Sequence, residues 1–158
     1  MPAKSKKRAT RKSAPAAKPE TVLVLRACDD KRKGHGGFQW PESGPVEAPD
    51  WSAKAVCGQG LHGWLWGEGD GGAVDIERFG PAAQWLVVEV EASTIVHLDR
   101  KVKFPRGVVV FCGDRRAATE WLAAKVGPER RIVGAFVTAG DGGTATAGDR
   151  GTIVIRQW

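Results

Sequence analysis

The fold is decided by the stretch Trp85-Leu-Val-Val-Glu-Val-Glu91, followed by Lys101-Val-Lys-Phe104 and Val108-Val-Val-Phe111. Apolar and charged residues alternate in the first two segments, as in strands that bury only one face. The third segment is apolar throughout, which is typical of a strand covered on both faces. We therefore predict successive strands in which 108–111 is central and the side chains of Lys101 and Lys103 point to solvent.

More strands are predicted on both sides of this stretch. A β-branched and leucine-rich run gives a first buried strand, Val22–Leu25, which ends near Arg26. Shorter strands are predicted at Phe38–Trp40, Leu61–Trp66, Thr94–Leu98 and Arg131–Thr138.

One helix is predicted over residues 114–126. Asp114 is a suitable N-cap, apolar residues recur at helical spacing after it, and Gly127-Pro128 ends the pattern. Many short strands with one helix indicate an α+β domain built on a mostly antiparallel, twisted β-sheet. Trp121 is assigned to the core face of this helix.

Two glycine-rich regions interrupt the regular pattern. Residues 34–72 hold eleven of the 21 glycines and four of the seven tryptophans, which predicts a Gly- and Trp-rich loop region. Residues 139–154 form two octads, Ala139-Gly-Asp-Gly-Gly-Thr-Ala-Thr146 and Ala147-Gly-Asp-Arg-Gly-Thr-Ile-Val154. Two copies are too few for an independent solenoid, so we expect these octad turns to pack on the domain.

The net charge divides the chain into two parts. Residues 1–20 hold seven Lys and Arg residues against one Glu, which equals the net charge of +6, whereas residues 21–158 carry as many acids as bases. The basic segment lacks aromatic residues and contains prolines, so we predict a disordered tail, 1–20, and a single β-rich domain, 21–158. A cationic arm of this kind favours contact with nucleic acid or another polyanion. Its binding residues would be Lys4, Lys6, Lys7, Arg8, Arg11 and Lys12.

The three cysteines, Cys28, Cys57 and Cys112, are widely spaced and odd in number. This pattern favours reduced thiols and a cytoplasmic location over a disulfide framework. The N-terminus has no apolar signal region, and no apolar run approaches eighteen residues, so no membrane partner is predicted.

The segment Cys57-Gly-Gln-Gly-Leu-His-Gly-Trp64 resembles a motif of an uncharacterised bacterial and phage domain, Cys-x-x-Gly-(Leu/Phe)-His, which runs into short Ala/Gly/Thr-rich repeats like those at 139–154. The resemblance extends over about residues 22–156. Longer relatives continue where this chain ends, which implies either a protein partner or self-association at the C-terminal strand, or a shorter version of the domain. No activity is established for that domain, so the resemblance assigns no catalytic residue.

Three ligand chemistries are open on the residues. Four soft ligands, Cys28, His35, Cys57 and His62, could hold zinc, but their spacing matches no zinc finger. Arg26, the turn at His62 and Glu89-Val-Glu91 follow one another in an order that resembles NAD-dependent ADP-ribosyltransferases. The resemblance implies that Arg26 or His62 would hold the dinucleotide and that Glu89 or Glu91 would stabilise an oxocarbenium-like state. The plainer interpretation of the two glutamates is the solvated face of a strand.

Trp64 and Trp66 are two residues apart and would share one face of a strand with His62. Such an aromatic shelf could stack a sugar or a nucleobase, and burial in the core is an equally good interpretation.

Taken together, the residues favour an interaction module without enzymatic activity, whose tail contacts nucleic acid or another polyanion. It would need no cofactor. The alternatives are the NAD-dependent transferase and the carbohydrate or nucleobase binder.

Overall fold

The sheet is built around β1 (Thr21–Cys28) and β4 (Gln84–Glu91), which pair antiparallel along their full length of eight residues. The computed structural model describes residues 14–74, 79–139 and 146–155. Both strands are rich in valine and leucine, because each is covered on both faces. Glu89 and Glu91 lie near one end of β4, and the rest of that strand is buried rather than half-exposed as predicted.

Seven strands form this sheet in the order β2-β7-β4-β1-β3-β6-β5, and every neighbouring pair is antiparallel. The predicted α+β class, a mostly antiparallel sheet with one main helix, is thus confirmed. The remaining strands of the sheet are β2 (Gly44–Glu47), β3 (Leu61–Leu65), β5 (Val96–His97), β6 (Val102–Phe104) and β7 (Arg106–Gly113). Short 3-10 turns lie at His35–Gly37, Gly71–Val74 and Ala92–Thr94.

A core covers each face of the sheet. On one face the long loop that follows β1 packs Trp40 and Trp51 against the valines of the central strands. On the other face lies α1 (Arg115–Val126), which packs Leu122 against Trp64 and Trp85. The predicted cap is confirmed, since the Asp114 carboxylate accepts a hydrogen bond of 2.8 Å from the Ala117 N–H.

Two predictions made from the pattern of apolar residues are wrong. Strand β7 is not covered on both faces, because Val109 is buried whereas its neighbours Val108 and Val110 lie on the opposite face and are exposed. Lys103 does not point to solvent but is fully buried in β6. Alternation marks two faces of a strand, but it does not show which loops cover them; here residues 51–60 lie over Lys103.

Two further strands form a separate small sheet. β8 (Phe136–Ala139) and β9 (Thr152–Ile155) pair in parallel, from Phe136 with Thr152 to Ala139 with Ile155. The strand predicted at Arg131–Thr138 is therefore shorter and begins later. Strand β2 was not predicted, because its four residues include a glycine and a proline, which normally indicate a loop.

Candidate functional site

A cleft of about 770 Å³ opens between two glycine-rich loops, residues 34–38 and 57–60. Its polar lining includes Arg26 from β1, His62 from β3 and Lys101. Arg26 is almost fully buried, lies 5.7 Å from the centre of the Trp40 ring and donates a 3.3 Å hydrogen bond to the backbone oxygen of His62. The structure therefore brings together Arg26 and His62, two of the residues that the sequence singled out.

The loops approach closely because they contain glycine. A Cβ atom on Gly34 would come within 2.9 Å of the Trp40 indole nitrogen, so a larger residue would displace the ring that covers Arg26. Backbone φ is positive at three consecutive residues, Gly58, Gln59 and Gly60, a conformation that glycine adopts without strain. Residues 57–60 can therefore turn sharply along the edge of the cleft.

His62 is a neutral imidazole in a positively charged environment. Burial, together with the charges of Lys101, Arg26 and Lys103, lowers the pKa of His62 from 6.5 to about 4. Its Nε2 atom is shielded from solvent and has no hydrogen-bond partner among the residues that the structure describes. Such a group can act as a polar contact in the cleft but stays uncharged near pH 7.

We expect His62 to make the stability of the protein depend on pH. Above pH 6.5 it is neutral in both states, but as the pH falls from 6.5 towards about 4 only the unfolded chain takes up the proton, so stability is lost. After allowance for partial exposure the loss is about 1–2 kcal/mol. Urea unfolding of His62→Gln at pH 7 and pH 4.5 should show a smaller pH dependence than the unsubstituted chain. The matched variant His97→Gln, at an exposed site, should not; equal slopes for both variants would rule out this role.

The glutamates of the predicted transferase are not part of this cleft. Glu91 pairs with Thr21 and Arg26 pairs with Leu86, so Glu91 lies five residues along the strand, roughly 17 Å from Arg26 at the usual rise per residue. Glu91 accepts a hydrogen bond of 2.6 Å from the Ser93 hydroxyl, and Glu89 lies opposite Leu23. Arg26 and His62 thus meet without the carboxylates that the transferase chemistry requires.

The predicted aromatic shelf is not formed. Trp64 is fully buried, stacks on Trp85 with ring centres 5.8 Å apart and donates a hydrogen bond of 3.0 Å to the Asp70 backbone oxygen. Trp66 lies after the end of β3 in a left-handed conformation and packs under Arg130. The turn breaks the strand alternation on which the shared face depended.

The cysteines and histidines do not converge on a metal-sized site. Among the described residues, no group of three or more His, Cys, Asp or Glu side chains could hold a metal ion. His35, Cys57 and His62 line the same cleft, whereas Cys28 is buried in the core. Burial raises the pKa of Cys28 to about 11, and this thiol does not line the cleft that His35, Cys57 and His62 share.

A second feature lies where the octads meet the body. The Asp149 carboxylate accepts a hydrogen bond of 2.7 Å from the Gly71 N–H, and the Asp149 backbone oxygen accepts one of 2.7 Å from Gly134. A Cβ atom on Gly148 would come within 2.4 Å of the Ile132 carbonyl oxygen, so this close contact requires glycine. The start of the second octad is therefore held tightly against the domain.

The sequence did not predict that Lys101 and Lys103 lie near the cleft. It predicted Asp149 only as a turn residue. Lys103 Nζ donates a hydrogen bond of 2.9 Å to the Val56 backbone oxygen and one of 3.4 Å to that of Gly58. No local pattern marks these lysines, because their place near the cleft follows from the pairing of β6 with β3. The predicted tail residues Lys4, Lys6, Lys7, Arg8, Arg11 and Lys12 lie outside the described residues.

Comparison with known proteins identifies the family to which this chain belongs. The model of a domain of unknown function, DUF7666, matches residues 22–117, which contain the whole seven-stranded sheet except the start of β1. The chain belongs to the DUF7666 family. The resemblance to an uncharacterised domain is confirmed to that extent. No solved structure matches the chain.

Several relatives of this chain are named ice nucleation proteins. That of Xanthomonas campestris pv. translucens is 36% identical over 109 residues, or 68% of this chain and 7% of the relative. One from Pseudomonas syringae is 37% identical over 108 residues, or 67% and 9%, and ice nucleation protein InaU of Pantoea ananas is 33% identical over 107 residues, or 66% and 10%. The chain thus spans a tenth or less of the length of these relatives.

This finding corrects the function expected from the sequence. Three predictions are wrong, because the relatives are named ice nucleation proteins. They are the module that contacts nucleic acid, the ADP-ribosyltransferase, and the carbohydrate or nucleobase binder. The same finding contradicts the predicted cytoplasmic location. It also contradicts the predicted partners, which were nucleic acid and no membrane. The basic tail misled the prediction because its charge says nothing about the role of the folded part. Among the described residues, no helix has the length and apolar character to cross a membrane.

Proposed function

We propose that this DUF7666 domain is the folded cap on which a parallel β-solenoid of octad repeats is built, as part of an ice-nucleating protein. The observation that carries the proposal is the register of β8 and β9. Each paired residue lies sixteen positions from its partner, as in Phe136 with Thr152, and sixteen is twice the octad period. Two octads therefore correspond to one turn of a parallel solenoid, in which each repeat pairs with the next.

The contacts of the second octad support the role of a cap. Asp149 and Gly148 hold this octad against the body, and the Thr152 N–H donates a 2.7 Å hydrogen bond to the Ala135 oxygen. Terminal repeats of solenoids need such a covering domain, because one end of the stack would otherwise expose its apolar interior. Here Ile132 and Val133 connect the base of the small sheet to the core beneath α1.

The outer strand of the small sheet has the surface that a further turn would cover. Ile153 and Val154 are exposed by 48% and 38%, although neighbouring residues point to opposite faces of a strand. Within the described part of the chain, β9 pairs with β8 alone. Stacking another turn on this strand would bury apolar side chains and satisfy its free backbone groups. The link to ice comes from the relatives' name, and an extended, regular stack gives the large ordered surface that organising water requires.

The test adds octads to the full chain. We expect ten copies of Ala-Gly-Asp-Arg-Gly-Thr-Ile-Val, joined after Ile155, to fold cooperatively with the domain and to raise the freezing temperature of supercooled droplets. Asp149→Ala removes the carboxylate that accepts the Gly71 N–H, and it should uncouple unfolding of the added octads from that of the body, seen as two thermal transitions. The substitution should lower the free energy of unfolding by about 1–3 kcal/mol, because it leaves the buried Gly71 N–H without its acceptor.

Asp30→Ala is the matched control, since this exposed residue lies far along the chain from the octads. It should leave a single transition and the same freezing temperature. The proposal fails if the octads are equally ordered on an unrelated soluble domain, or if the extended chain freezes water no earlier than the chain without added octads.

A further inference from the structure

The two octads differ at a position where the second octad contacts the body. Residues 139–144 are Ala-Gly-Asp-Gly-Gly-Thr and residues 147–152 are Ala-Gly-Asp-Arg-Gly-Thr, so over these six residues the fourth alone changes. The contacts described above involve residue types that both octads contain, at Gly148, Asp149 and Thr152. These contacts cannot make the body favour one octad sequence over the other. The fourth residue, Arg150, can.

The side chain of Arg150 lies against the backbone of Gly71. A Cβ atom on Gly71 would come within 3.0 Å of Arg150 Cγ and 3.3 Å of its Cδ, so the aliphatic part of the arginine packs where residue 71 has no side chain. Arg150 Nε lies 3.7 Å from the Asp149 oxygen that accepts the Gly71 N–H. The arginine therefore covers the hydrogen bond that joins the octad to the body, and a hydrogen bond shielded from water is stronger.

The backbone of Arg150 adopts a conformation that favours glycine. Its φ is +56°, in the left-handed region, where a residue with a Cβ atom is strained and glycine is not. The first octad has glycine at the equivalent position, Gly142. Glycine at position 150 would relieve the strain but would lose every contact of the arginine side chain. An arginine held in this conformation indicates that its contacts outweigh the strain.

We propose that the fourth octad residue determines how tightly an octad docks on the body: an octad with arginine there docks tightly, and one with glycine docks weakly even at residues 147–154. Arg150 is a positioning residue, which acts by packing on Gly71 and keeping the Asp149 carboxylate in place. This inference rests on the proposed solenoid cap and deepens it, because it names the octad sequence that the cap accepts.

The test measures amide hydrogen exchange of the full chain without added octads. The N–H groups of Gly71 and Thr152 report docking, because they donate to Asp149 and to Ala135. R150A removes the contacts and keeps the strain, whereas R150G removes both. We expect exchange of these two amides to become about tenfold faster in R150A and to increase by a smaller factor in R150G, while the amides of α1 stay unchanged.

R32A is the matched control. Arg32 also has a left-handed backbone, with φ of +60°, and it lies far along the chain from the octads. Its replacement by alanine should leave the exchange of Gly71 and Thr152 unchanged. A general effect of removing a strained arginine would instead appear equally in R32A and R150A.

A double-mutant cycle with G71A tests the contact itself. The added methyl group presses on Arg150 Cγ and on the Asp149 carboxylate, so G71A should make exchange of Thr152 faster. In the R150G background the arginine is absent, and adding G71A should have a smaller effect, because contacting residues are not additive. This comparison remains informative even if G71A alone undocks the octad.

The proposal is overturned if R150G slows exchange or leaves it unchanged, if R32A acts like R150A, or if the effects of G71A and R150G simply add. None of these results bears on whether added octads stack or freeze water. A Thr152 amide without protection in the unsubstituted chain would instead contradict the docking on which the cap itself depends.

Discussion

Replacing Trp64 with alanine will lower the free energy of unfolding by about 3–5 kcal/mol, the range for removing a buried tryptophan from a core. Trp64 is fully buried between β3 and the helix side of the sheet, where it stacks on Trp85. The substitution leaves a cavity against Leu122 and removes the donor to the Asp70 backbone oxygen. Urea unfolding monitored by far-UV circular dichroism gives the difference directly.

Trp66→Ala is the matched control for this prediction, because Trp66 is only two residues away but partly exposed. It packs under Arg130, 5.5 Å from the guanidinium to the ring centre. Its loss should cost clearly less, about 1 kcal/mol for a partly desolvated cation–π contact and some buried area. If both variants lose the same stability, the two tryptophans are equivalent, and the assignment of Trp64 to the core is incorrect. Trp64→Phe keeps an aromatic ring and should recover part of the loss.

Replacing Lys103 with methionine will cost about 2–4 kcal/mol, although methionine is more hydrophobic and nearly isosteric. Lys103 Nζ donates to the backbone oxygens of Val56 and Gly58, and methionine removes this charged donor; a hydrogen bond to a charged group contributes about 1.5–3 kcal/mol. Relief of the cost of burying the ammonium offsets part of the loss. We also expect the 51–60 loop to become more accessible, seen as faster amide hydrogen exchange there than in α1.

Lys125→Met provides the control for this variant. Lys125 also lies over a tryptophan ring, 5.2 Å from the centre of Trp121, but its side chain is exposed. Its replacement should change stability by less than about 0.5 kcal/mol, as is usual for surface positions. A Lys103→Met chain as stable as the unsubstituted protein would show that the two carbonyls find other partners and that Lys103 does not hold the loop.

The candidate site was only partly predictable. Arg26 and His62 were singled out from their positions at a strand end and in a glycine turn, and the structure places them in one cleft. Lys101 was predicted to point to solvent, but it lines the cleft. Glu89 and Glu91 were predicted to belong to the site, but they lie elsewhere on the sheet. The reason is that a cleft formed by two loops depends on the pairing of β1 with β3 and β4, which no local pattern specifies.

What the sequence by itself determined was the class of fold and the local signals. Alternating and continuous apolar runs, the Asp114 cap and the octads are read from neighbouring residues, because strand period, capping and turn formation depend on local geometry. Only the tertiary structure decided which surfaces are covered. In the folded chain Lys103 is buried, Val108 is exposed, and strands sixteen residues apart, which is two octads, pair with each other. Burial and pairing depend on segments that are distant in sequence.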